Sequence, residues 1–109
     1  MPEVRTGPVR VSGYAIKLRR ALNAAVKEQY KKSQIDTQKL NEQISEFNKK
    51  LYSVIVEKFK IPKEAIVNIT VKYEYSDGNL KIDDVNVEVY NKDDALSKDV
   101  TEEVKKLFK

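Results

Sequence analysis

The chain has 109 residues, 40% apolar and 35% charged, enough for one core and too few for two, so residues 1–109 read as a single α/β domain. It contains no cysteine, histidine or tryptophan, which excludes disulfides, thiolate and imidazole metal sites, and cysteine- or histidine-based catalysis; no catalytic residue, metal or cofactor is expected. The formal charge of +4 is uneven: residues 1–34 hold eight Lys/Arg against two acids, net +6, and residues 35–109 hold 13 lysines against 15 acids, net −2.

No stretch approaches the roughly 18 uncharged apolar residues needed to span a bilayer, and "MPEVRTGPVR" lacks the apolar core of a signal peptide. A cytoplasmic protein with no membrane partner is expected. Enrichment in lysine and glutamate, one methionine and no cysteine resemble the composition of proteins from hot-living organisms, although seven asparagines and four glutamines run against it.

In chain order, "TGP" is a turn and "PVRVS" alternates Val9 and Val11 with Arg10 and Ser12, a short strand. Ser12 is placed to cap a helix from residue 14 to about 32, with Gly13 as the bend. Ala15, Leu18, Leu22, Ala25 and Val26 form its buried stripe. Arg20, Asn23, Lys27 and Lys31 share another face, with Arg19 beside them, as a basic ridge.

Asp36 caps a second helix running to residue 59, with Ile35 and Leu40 as a hydrophobic staple. Leu40, Ile44, Phe47, Leu51 and Val54 make a heptad seam; two to three heptads is short for a coiled coil, so its narrow beginning is read as packing within the chain, with contact to a second copy through Leu40, Ile44 and Phe47 as the alternative oligomerisation site. "KIPKEA" ends the helix, because the residue before Pro62 is pushed out of helical geometry.

Residues 66 to 75 put Val67, Ile69, Val71, Tyr73 and Tyr75 on one face of a strand; "SDGN" turns, and a second strand runs from 80 to 90. Its apolar phase shifts from Leu80 and Ile82 to Val85, Val87 and Val89. That shift predicts a β-bulge at Asp83 and Asp84 that keeps both apolar sets on the core face and turns the carboxylates outward. A last helix carries Leu96, Val100, Val104, Leu107 and Phe108 on one stripe, acids leading and lysines trailing.

The expected fold is α+β: a two-layer sandwich of order β-α-α-β-β-α, with a small, mostly antiparallel sheet packed on helices. About three strands leave open edges, so a further strand from Val4 or from a second protomer, and a homo-oligomer, are expected.

Neither Asp83 with Asp84 nor Asp93 with Asp94 is a ready acid/base dyad, since neighbours in a strand face opposite ways. Three isolated glycines make no phosphate loop, though Gly13 precedes a helix start whose amides suit a phosphate, with Arg10 and Ser12 alongside. The telling feature is that all four arginines, Arg5, Arg10, Arg19 and Arg20, lie in the first 20 residues. Arginine pairs bidentately with phosphate and stacks on bases, whereas lysine mainly serves solubility. Tyr14, Tyr30 and Tyr90 are candidate aromatic faces near or beyond that cluster.

The stretch "TGPVRVSGYAIKLRR", the helix with "NEQISEFNKKLYSVIVEKF", the proline break and the tyrosine-rich hairpin resemble a small archaeal single-domain family and are similar to the ThermoDBP-related single-strand nucleic-acid-binding proteins. That resemblance implies archaeal origin, nucleic-acid binding and oligomerisation through helices, with no binding residue carried over. The residues point to a non-enzymatic binder of RNA or single-stranded DNA using Arg5, Arg10, Ser12, Tyr14, Arg19, Arg20, Lys27 and Lys31. The alternative is a scaffold subunit that assembles through the second helix or a sheet edge and docks its basic end on an acidic protein partner.

Overall fold

The computed structural model describes residues 2–31, 35–90 and 94–107. In chain order these form β1 (Glu3–Arg5), β2 (Val9–Arg10), a 3-10 turn (Val11–Gly13), α1 (Tyr14–Gln29), α2 (Thr37–Tyr52), a π-helical run (Ser53–Lys58), β3 (Ile66–Ser76), β4 (Asn79–Tyr90) and α3 (Asp94–Leu107). This is the expected α+β order. Asp93 and Phe108 lie outside the described residues.

The sheet is built around β3. β4 pairs with one side of it and β1 and β2 with the other, all antiparallel, so Val4 does supply the additional strand. β1 and β2 are two halves of one interrupted edge. Val4 faces Val71 and Val9 faces Val67, so the N-terminal side carries one surplus residue between them. Thr6 spans the break: its N–H donates to Ile69 O at 2.9 Å and its Oγ1 accepts from Ile69 N at 3.0 Å. Gly7, at φ 68°, takes the left-handed conformation the kink needs.

A second irregularity sits where the phase of β4 predicted it. Lys72 pairs with Asp84 and Tyr73 with Ile82, leaving Asp83 as the inserted residue. Asp83 is not turned into solvent as expected. Its side chain is 15% exposed, Lys81 Nζ stands 3.9 Å away, and one carboxylate oxygen is buried without a hydrogen bond. Asp84 is the exposed member, accepting from Val85 N.

The core lies between the sheet and the pair α1 and α2. Val67, Ile69, Val71, Tyr73 and Tyr75 of β3 meet Leu18, Leu22 and Val26 of α1 and Leu40, Ile44, Leu51 and Ile55 of the second helical segment. Alternation along β3 and a helical stripe on each helix suffice to produce this. The expected seam is altered at two positions, because Asn48 and Ile55 are buried where Phe47 and Val54 were assigned. Val54, Ile55 and Val56 are three β-branched residues in succession, which crowd an α-turn. The chain widens into π geometry there, with Phe59 N bonded to Val54 O, and the helical segment closes with Ile61 N bonded to Ile55 O past Lys60 at φ 53°. Ile55 keeps the core position, while Val54 and Phe59 are exposed.

α3 does not complete the sandwich. Val100, Val104 and Leu107 are 53%, 45% and 80% exposed, and the molecule measures 62 × 31 × 21 Å. Its radius of gyration is 18.0 Å, against about 13 Å for a compact chain of this length. Val87 and Val89 are also left partly bare, lining an open groove of about 580 Å³ with Leu51, Val54, Ile55 and Phe59, while at the hairpin end of β4 Gln43 Oε1 accepts from Leu80 N.

Candidate nucleic-acid interface

Two antiparallel helices held by polar side chains define the site. Tyr14 OH donates to Asn48 O at 3.2 Å, Asn48 Nδ2 to Ala15 O at 3.2 Å, Arg19 to Ser45 Oγ at 3.1 Å, and Asn23 Nδ2 to Asn41 Oδ1 at 2.9 Å. Each bond contributes about 0.5–1.5 kcal/mol, and more where a charge takes part. Together they fix the spacing of α1 and α2 along one side of the helix layer.

Between the N-terminal end of α1 and the end of α2 with its π-helical continuation lies a groove of about 600 Å³. Val11, Ala15 and Val56 give it an apolar floor; Arg19, Lys49 and Lys63 stand around it; Ser12, Asn48 and Tyr52 supply polar groups and a ring. Tyr52 is 50% exposed. A shallower groove of about 840 Å³ continues along α2 past Asn41 and Thr37, sharing Arg19, Ser45 and Lys49 with the first. It also carries Glu42 and Glu46, so the positive character is concentrated at the first groove.

The eight expected binding residues do not share one surface. Ser12, Tyr14 and Arg19 meet at this groove. Arg5 and Arg10 are exposed and alternate with the inward-facing Val4 and Val9, which places them on the outer face of the sheet; Arg5 pairs with Glu3 at 3.2 Å. Arg20 and Lys27 are exposed on the side of α1 opposite its buried stripe, with Lys31 just beyond the helix end and Ile16, 60% exposed, at the other. Arg19 and Arg20 are therefore neighbours in sequence on different faces.

Two roles are corrected by burial. Tyr14 is only 3% exposed, so its ring belongs to the core and offers no stacking face. Burial, with a further contribution from Tyr52, raises its hydroxyl pKa above the ordinary tyrosine value. Leu40 and Ile44 are fully buried and Phe47 packs against the same core, so these three are taken up within the chain and leave no seam for a second copy. Ser12 is not a helix cap: its N–H bonds Lys63 O and Val11 N bonds Ala65 O, which tightens residues 11–13 into a 3-10 turn with no side-chain cap.

Lys49, Tyr52 and Lys63 are groove residues that sequence reasoning missed. Ser45, Lys49, Tyr52 and Val56 recur at steps of four, three and four, so one helical face carrying a lysine and a tyrosine was there to be read. Lys63 had no such signal, since the backbone bonds to residues 11 and 12 bring its loop there.

Among the described residues no helix is long and apolar enough to cross a membrane, and no group of three or more acidic side chains is placed to hold a metal ion. No curated protein sequence matches the chain. Among solved structures, the chain is similar to the crystal structure of apeThermo-DBP-RP2 bound to ssDNA dT10, at 26% identity and TM-score 0.81, over 99% of this chain and 53% of that one. It is also similar to pfuThermo-DBP-RP1 (crystal form II), at 28% identity and TM-score 0.73, over 98% of this chain and 73% of that one. The chain thus spans about half the length of the first of these relatives. The profile of the ThermoDBP-related family of archaea matches residues 4–81, and the chain belongs to that family.

Proposed function

We propose that this chain binds single-stranded DNA without catalysis, and that the strand lies in the groove between α1 and the end of α2. The observation that carries this reading is the composition of the groove: an apolar floor rimmed by Arg19, Lys49 and Lys63, with the half-exposed ring of Tyr52 inside it. Cations along a trough neutralise phosphates, and an aromatic face stacks a base whatever its identity. A relative of the same fold has been crystallised with ssDNA dT10, which favours single-stranded DNA over RNA. Arg20, Lys27 and Lys31 on one side, and Arg5 and Arg10 on the other, raise the local potential and speed encounter without touching the strand in the groove.

Titration of labelled single-stranded DNA, duplex DNA and RNA of equal length at two salt concentrations tests the reading. Salt-sensitive binding with single-stranded DNA preferred is expected; no salt-sensitive binding at low ionic strength overturns it.

A second element of the proposal is self-association through α3, favoured by its exposed Val100, Val104 and Leu107. Asp99, Glu102 and Glu103 precede Lys105 and Lys106, so an antiparallel pair of α3 helices sets acids beside lysines, where a parallel pair sets like charges together.

A further inference from the structure

α1 and α2 cover one face of the sheet. On the other face a row of side chains crosses three strands, where Arg10 of β2 stands opposite Ile66 of β3 and Ile66 opposite Tyr90 of β4. Val67, the next residue along β3, is fully buried, so alternation turns this row outward. Strand spacing sets Arg10 and Tyr90 about 10 Å apart, with Ile66 between them. Arg10 is exposed and, among the described residues, makes no ion pair or side-chain hydrogen bond. Tyr90 is 46% exposed, and its hydroxyl donates to Glu88 Oε2 at 3.2 Å. Elsewhere on this face Glu3, Glu74, Asp84 and Glu88 outnumber Arg5, Lys72 and Lys81, so the row is the end of the face that favours an anion.

The row begins where the groove between α1 and α2 ends. Val11 and Ser12 line that groove and directly follow Arg10, and Lys63, which also lines it, lies in the loop that leads into Ile66. The bonds from Val11 N to Ala65 O and from Ser12 N to Lys63 O hold the two segments side by side, so groove and outer sheet face share one rim. We infer that, with the groove as the single-stranded DNA site on which this rests, the strand runs on over the rim and lays its next nucleotide on the outer face, a phosphate against Arg10 and a base on the Tyr90 ring. A guanidinium with no internal partner is free to pair its planar fork with a phosphate, and an exposed tyrosine face stacks a base of any identity. Tyr52 inside the groove and Tyr90 outside it then hold bases on the two sides of the rim formed by Ser12 and Lys63.

Fluorescence anisotropy with 5′-labelled oligo(dT) of five and of fifteen nucleotides tests this on the whole chain at one low salt concentration. Tyr90→Ala is expected to bind the longer probe roughly ten-fold more weakly than wild type, the effect of one lost stacking contact, and the shorter probe within about two-fold of it; Tyr90→Phe is expected to match wild type on both. Arg10→Ser is expected to weaken binding of the longer probe more than Lys72→Ser does, although each removes one positive charge from the same face. Unchanged affinity of Tyr90→Ala for the longer probe, or equal losses in Arg10→Ser and Lys72→Ser, overturns the inference and leaves the groove reading standing. Losses of the same size on both probes overturn the groove reading as well, because the sheet face then holds the short strand. Absence of binding of either probe to wild type overturns the groove reading itself. If only the longer probe binds, the variants compared on it decide, and should Tyr90→Ala lack a cooperative melt, Arg10→Ser against Lys72→Ser decides.

Discussion

Arg19 reaches across the helix pair to Ser45, with its guanidinium 3.1 Å from Oγ, while Arg20 is exposed on the far side of α1. One step along a helix rotates a side chain by about 100°, which is enough to separate a residue in the groove from one on the open helix face. A basic patch read as a single feature of the sequence is therefore at least three features in space: groove, helix ridge and outer sheet face.

Tyr52 is the aromatic group in the groove with an exposed face, and the proposed reading gives it a stacking role. Tyr52→Ala is expected to weaken single-stranded DNA binding by about 1–3 kcal/mol, roughly five- to 150-fold, with Tyr52→Phe close to wild type. Anisotropy titration of both variants checks this, and a loss of the same size in Tyr52→Phe excludes stacking as the role of the ring.

Tyr14 and Tyr73 both have hydroxyl pKa values raised above the ordinary 10.0, first by burial and second by a neighbouring tyrosine, Tyr52 and Tyr30 respectively. The unfolded chain ionises these groups first, so their contribution is fully present below about pH 10 and is lost as pH rises through the higher folded values. Denaturant unfolding followed between pH 8 and 11 is expected to report falling stability above pH 10. Tyr14→Phe is expected to flatten that fall, at the cost of the hydrogen bond to Asn48 O.

The fold was largely legible because its signals are local. Alternation along residues 66–75, a phase break at Asp83 and a helical stripe on α1 each follow from the period of one element. What failed was any inference needing to know which neighbour covers a face. Val54 fits the heptad arithmetic as well as Ile55 does, and only the π-helical widening decides between them. Tyr14 looks like an exposed ring beside arginines until the 3-10 turn, pinned by Ala65 and Lys63, swings it inward. Of the site, Ser12 and Arg19 were found from their residue types, Lys49 and Tyr52 lay unread on a regular face, and Lys63 depended on backbone bonds to a distant part of the chain.

Leu40 and Ile44 are core residues, so their truncation acts on folding. Ile44→Ala is expected to cost about 2–5 kcal/mol in denaturant unfolding. An equally large change in oligomer mass with no change in stability returns Ile44 to an interface role.

Self-association through α3 is the second element of the proposal. Val100→Lys together with Val104→Lys is expected to reduce the mass measured by light scattering to that of one chain, while leaving affinity for a short oligonucleotide within about two-fold of wild type, since neither residue lines the groove. A wild type that is monomeric at high concentration contradicts this assignment.

The most direct measurement sets two charge reversals against each other. In Arg19→Glu with Lys49→Glu the groove loses two of its three cations; in Arg20→Glu with Lys27→Glu the net charge changes by the same amount on the helix ridge. Affinity for single-stranded DNA at several salt concentrations is predicted to fall steeply in the first variant, with the salt slope shallower by about 0.7 for each phosphate that is no longer neutralised. The second variant is predicted to lose affinity only modestly and to keep the wild-type slope. Equal losses in both variants, or a larger loss from the ridge, contradict the groove as the binding site.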